Sequence, residues 1–154
     1  MNVFIADEQD DPLPGGSLLE LAELVLRNEG VPEDSEVAIV FIDDAEMTGL
    51  NERHRGGAGP TDVLSFPLEE GEPGRPLERK PEGPPLNLGD VFIAPAVVRR
   101  NASRAGAEFA DELALMVVHG LLHLLGWDHV EDADAERMEE RERQLLGAAG
   151  RVRP

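Results

Sequence analysis

Glu108-Phe-Ala-Asp-Glu-Leu-Ala-Leu-Met-Val-Val-His119-Gly-Leu-Leu-His123-Leu-Leu-Gly126-Trp-Asp-His129 is the longest helical pattern in the chain. Its apolar positions Phe109, Leu113, Met116, Val117, Leu121, Leu124 and Leu125 fall nearly all round a helix, the pattern of a central, buried element over Glu108–Leu125. Three of the four histidines close the stretch. His119 and His123 stand one turn apart on one face, so both imidazoles aim at a single point. Gly126 supplies the left-handed conformation that ends a helix, and Trp127 and Asp128 then carry the chain back to deliver His129. Three neutral imidazoles with an open fourth position are the way proteins hold catalytic zinc. Without such a partner, imidazoles on a buried helix are costly.

The flanking sequence supplies a frame for this helix. Val3–Ala6 reads as a strand. Ser17 and Glu20 have capping-box spacing ahead of a helix striped by Leu18, Leu21, Leu24 and Val25, stopped at Gly30 and Pro32. Val37–Ile42 reads as a buried strand, followed by an Asp-capped helix over Ala45–His54. Gly56, Gly57, Gly59 and Pro60 break that helix, and Thr61–Phe66 is extended up to Pro67. Val91–Ala94 is a further strand, with Gly89 allowing close backbone approach, and Pro95 opens a helix to about Ser103. A last amphipathic helix spans Asp132–Leu146, with Ala135, Met138, Leu145 and Ala149 inward. This order predicts an α+β fold, a small mixed four-stranded sheet with about five to six helices in a zincin-like arrangement, the central one carrying His-x3-His. One domain over residues 1–154 is expected, with residues 69–87 a flexible loop, since Glu69–Pro85 is almost entirely Glu, Gly, Pro and Arg.

Charge and composition narrow the chemistry. With 14 Lys+Arg against 32 Asp+Glu the formal net charge is −18, which argues against a generic nucleic-acid coat. All the cations but Lys80 are arginines, grouped at Arg53/Arg55, Arg75/Arg79/Lys80 and Arg99/Arg100/Arg104. Arginine chelates phosphate with a planar fork. The expected resolution is segregation, with acidic residues such as those of Asp132–Glu142, and Arg141 beside them, facing away from an Arg-bearing groove. Absence of cysteine excludes disulfides, Fe–S clusters, thiolate nucleophiles and Cys-type zinc sites. No secretory leader and no apolar run long enough to span a membrane is visible, so a cytoplasmic protein is expected.

The histidine spacing matches that of peptidases reading H-E-x-x-H-x-x-G-x-x-H, with Gly126 in place. In those enzymes the residue after the first histidine is the glutamate that serves as general base, and here it is Gly120. Peptide hydrolysis by that route is disfavoured. A metal on its own still lowers the pKa of bound water to about 7 and polarises a substrate oxygen. Other candidates carry two readings each. Thr61, Asp62 and Ser65 bind phosphate or hold a strand edge. Asp128 orients a ligand histidine from behind or bonds locally, Trp127 plugs the core or stacks on a base, and His54 reads as a surface residue.

His119-Gly-Leu-Leu-His-Leu-Leu-Gly-Trp-Asp-His129, Leu50-Asn-Glu-Arg-His-Arg55 leading to Pro60-Thr-Asp-Val-Leu-Ser-Phe66, and Leu88-Gly-Asp-Val-Phe-Ile93 together resemble the YbeY family of bacterial metal-dependent endoribonucleases and rRNA maturation factors. The resemblance runs in order from about Val3 to Leu146. It departs at Trp127, where tyrosine is usual, and at Gly56–Gly59, where the family often carries lysines. It implies a cytoplasmic enzyme that cleaves single-stranded RNA, takes part in maturing the 3′ end of 16S rRNA, and acts in ribosome quality control. It also implies one Zn2+ per chain on His119, His123 and His129, a functional arginine at Arg55, and association with the small ribosomal subunit, a ribosomal protein and the GTPase Era. With His119 and Arg55 as catalytic groups, Arg55 neutralises charge on the phosphate oxygens. The competing reading is a ribosome-assembly factor whose metal site is structural; a third is another metal-dependent hydrolase.

Overall fold

Caps and apolar runs resolve, in the computed structural model of residues 1–154, into β1 (Asn2–Glu8), α1 (Leu18–Asn28), β2 (Glu36–Ile42), α2 (Asp44–Arg55), β3 (Val63–Pro67), β4 (Asn87–Ile93), α3 (Pro95–Ala105), α4 (Phe109–Leu124) and α5 (Asp132–Ala148). The Ser17 hydroxyl accepts the Glu20 amide at 2.9 Å to start α1, and Asp43 accepts that of Glu46 at 2.9 Å to start α2. Pro95 opens α3, as its missing N–H and fixed φ favour. The fold is the mixed α+β arrangement expected, with five helices.

The sheet order is β1-β2-β4-β3. β1, β2 and β4 run parallel, and β3 is antiparallel to β4. β4 is longer than the apolar run Val91–Ala94 suggested, because Gly89, at φ 120°, brings its backbone against the Phe66 carbonyl where a side chain has no room. β3 likewise continues through Pro67, which lies opposite Gly89.

Alternation along the strands divides the core in two. Val37, Ile39 and Phe41 of β2 and Val91 and Ile93 of β4 pack with α1, α4 and α5 in the main cluster. A smaller cluster of Ile42, Met47, Leu64, Ala94 and Val97 gathers α2 and α3 around Phe66 and Phe92. The central helix is α4: it packs on β3, β4, α1, α3 and α5.

Two features depart from the sequence reading. The inward face of α5 is Met138, Glu142, Leu145 and Leu146, so Glu142 is buried among apolar residues although the pattern places it on the acidic outer face. The Glu-, Gly- and Pro-rich segment lacks regular structure beyond a Glu72–Arg75 bridge, but it is anchored. Leu77 and Leu86 pack against the main core, and Arg79 pairs with Asp34 at 2.8 Å. The backbone of Gly71 lies directly on that of Leu125 and Gly126.

Candidate metal centre

The site is assembled by the last turns of α4 and the backbone stop that follows. Beyond Leu125 the Gly126 amide donates to the His123 carbonyl at 3.1 Å and the Trp127 amide to the Leu122 carbonyl at 3.0 Å. This pairing satisfies the helix's last carbonyls and requires a left-handed residue, which Gly126 provides at φ 98°. Trp127 is buried and its indole N–H donates to Glu29 at 3.1 Å, tying the stop to the end of α1. Trp127 is thus a core plug, and the next two residues return His129 to the face of α4.

His119, His123 and His129 each present a ligand nitrogen within 4.8 Å of the others. His123 Nδ1 faces the Trp127 carbonyl at 2.8 Å, and His119 Nδ1 faces a Glu142 carboxylate oxygen at 2.7 Å. Both partners are acceptors, so both Nδ1 atoms carry the proton and both Nε2 atoms are left with lone pairs. Those two Nε2 atoms are 3.0 Å apart. Two nitrogens bound at 2.0–2.1 Å to a tetrahedral zinc are about 3.3 Å apart. Lone pairs aimed at each other at this distance repel unless a cation lies between them, and the donor set therefore fits a metal ion.

Burial, followed by repulsion from His119, pushes the His123 imidazole down to about 4 from 6.5, with the Trp127 bond pulling the other way. The ring is neutral and available as a ligand at physiological pH.

A cleft of about 400 Å³ opens beside the histidines, lined by Arg55, Ser65, His123, Asp128, His129 and Val130 among others. Arg55 is the last residue of α2, exposed, and forms no ion pair or hydrogen bond. Most other arginines are already paired, including Arg75 with Glu72, Arg79 with Asp34 and Arg100 with Asp44. Ser65 donates to the Gly120 carbonyl at 2.8 Å and so fastens β3 to α4 at the level of the histidines. Asp128 accepts the amide of His129 at 2.7 Å, a local bond that fixes the ligand's backbone. Thr61 is not part of the lining; its hydroxyl donates to Asp62 at 3.3 Å. His54 lies outside the cluster, exposed and edge-on to Phe66 at 5.3 Å between centroids.

Gly120 has a packing reason. A Cβ there would stand 2.5 Å from Val91 Cγ1 and 3.2 Å from Val63 Cγ2, so this face of α4 lies flush on the sheet and excludes a glutamate. The carboxylate that meets a triad imidazole, Glu142, lies behind His119 on its Nδ1 side. Sequence reasoning missed it. The signal was present only as a glutamate four residues after Met138 and three before Leu145, on the apolar stripe of an otherwise acidic helix.

Fold and site together define a metal-dependent enzyme of the three-histidine kind, without the glutamate base of the peptidases. The chain matches the family model for Endoribonuclease YbeY over residues 6–150. Endoribonuclease YbeY of Acidothermus cellulolyticus is 46% identical over 138 residues, covering 89% of this chain and 84% of that protein. That of Moorella thermoacetica is 42% identical over 154 residues, covering 97% and 98%. The solution structure of TM1509 from Thermotoga maritima shares the fold at a TM-score of 0.58 and 29% identity, covering 96% of this chain and 91% of that one. The chain belongs to the endoribonuclease YbeY family.

Proposed function

We propose that this protein is a zinc-dependent endoribonuclease specific for single-stranded RNA, acting in 16S rRNA 3′-end maturation and ribosome quality control in the cytoplasm. The observation that carries the reading is the convergence of His119 and His123 Nε2 with His129 beside a cleft that also holds the unpaired guanidinium of Arg55. Zinc bound by three imidazoles supplies Lewis acidity at an open coordination position. The protein's own groups supply the rest. Glu142 and the Trp127 carbonyl hold the two α4 histidines in register, and Asp128 holds His129. Arg55, which is in no ion pair, neutralises charge building on the phosphate oxygens. Ser65 sets the cleft wall, while Thr61 has its hydroxyl committed to Asp62, which leaves Arg55 as the principal phosphate contact.

The precursor's 3′ end on the small ribosomal subunit is the substrate in this reading, with a ribosomal protein and the GTPase Era as partners. The test is cleavage of a single-stranded RNA carrying an unprocessed small-subunit 3′ end by zinc-loaded protein, beside His123→Ala purified identically. Cutting by wild type alone, abolished by a chelator, is the expected result. Equal cutting by both preparations, or by neither, would favour an assembly factor with a structural metal site.

A further inference from the structure

Glu142 is the most deeply buried charged residue in the fold, at 1% exposure. Its neighbours on the inward stripe of α5, Met138, Leu145 and Leu146, are apolar. A carboxylate taken out of water is costly unless its oxygens are all engaged. Here each oxygen has one partner. One faces His119 Nδ1 at 2.7 Å, and the other accepts from Arg153 Nε at 3.2 Å. Arg153 belongs to the C-terminal tail beyond α5 and folds back to reach this point, its side chain three-quarters covered.

We propose that Glu142, held by Arg153, is a positioning residue for the metal centre: it keeps the proton on His119 Nδ1 and turns the Nε2 lone pair toward the metal. The inference rests on the reading that the three histidines hold a metal. A hydrogen bond from a ligand imidazole to a carboxylate fixes both tautomer and ring orientation and strengthens the ring as a donor. The Arg153 contact makes the arrangement a chain of three, and the segment that follows α5 becomes part of the site.

Wild type, Glu142→Gln, Glu142→Leu and Arg153→Ala are compared by zinc dissociation constant from chelator competition, by the visible spectrum of the cobalt-loaded protein, and by melting of the metal-free protein. Glu142→Leu is expected to weaken zinc by about 10–100-fold and to alter the cobalt spectrum, with Glu142→Gln, which keeps an acceptor oxygen, restoring part of the affinity. Arg153→Ala, which leaves the Glu142–His119 contact in place, is expected to show a smaller loss in the same direction. Zinc affinity within about threefold of wild type in all three variants would overturn the inference. So would a loss that merely follows the metal-free melting temperature, the mark of a structural role. If wild type itself takes up neither metal, the metal reading falls and this one with it; if wild type binds and the variants bind equally, only the positioning role is lost.

Discussion

Gly120 is a residue at which two physical effects oppose each other. Glycine inside a helix costs about 0.5–1 kcal/mol relative to alanine, so Gly120→Ala gains by propensity. The added Cβ meets Val91 Cγ1 at 2.5 Å, and overpacking of a core costs about 1–3 kcal/mol. Packing wins, and denaturant unfolding should show Gly120→Ala less stable than wild type; a gain in stability would mean that α4 stands off the sheet. His123 gives the second prediction at this scale. Its folded pKa lies at about 4 against 6.5 for a free imidazole, chiefly through burial. Between those values the unfolded chain binds a proton that the folded chain does not, so stability rises with pH. The metal-free protein should therefore hold its full His123-linked stability above about pH 6.5 and lose it as pH falls toward 4. Melting temperatures of chelator-treated protein across this window should fall more steeply for wild type than for His123→Leu, and equal slopes would contradict the burial argument.

At the scale of elements, the site depends on how α4 ends. The left-handed stop at Gly126 both sends the chain back to His129 and aims the Trp127 carbonyl at His123. Gly126→Ala meets a positive φ and the Gly71 backbone at once. A loss of about 1–3 kcal/mol in stability is expected, together with weaker zinc binding, measured by melting and chelator competition. Much of this was legible from the sequence, because helix stops, caps and four-residue spacing are local. The buried α4, the cap at Ser17 and the return at Gly126 all follow from such local signals. What was not legible depended on contacts far apart in the chain. Glu142 turns inward because it meets His119 from another helix, and the segment around Gly71 is held down because its backbone fits against Gly126. The full length of β4 was hidden by Gly89, whose role is set by the neighbouring strand rather than by its own apolar pattern.

For the whole molecule the question is how a chain of net charge −18 approaches RNA. Most arginines are spent on nearby carboxylates, whereas Arg55 at the cleft has no acidic partner. Arg141, expected to face away from the groove, pairs at 2.6 Å with Glu29, whose side chain is almost wholly covered, so Arg141→Ala would disturb the fold and is a poor control for Arg55→Ala. Arg143 pairs only with Glu139 and Glu140 on the outer face of α5 and is the better choice. Arg55→Ala should lower RNA cleavage by about 10²–10³-fold, while Arg143→Ala leaves it near wild type. Equal effects would remove the idea of a segregated groove. The central claim, that three histidines hold the metal on which cleavage depends, is tested most directly by returning zinc stepwise to stripped protein while following cleavage of single-stranded RNA. The account predicts a rate that is near zero without metal, climbs with added zinc and levels at about one zinc per chain. Cleavage that survives stripping, or that ignores the added zinc, would contradict it.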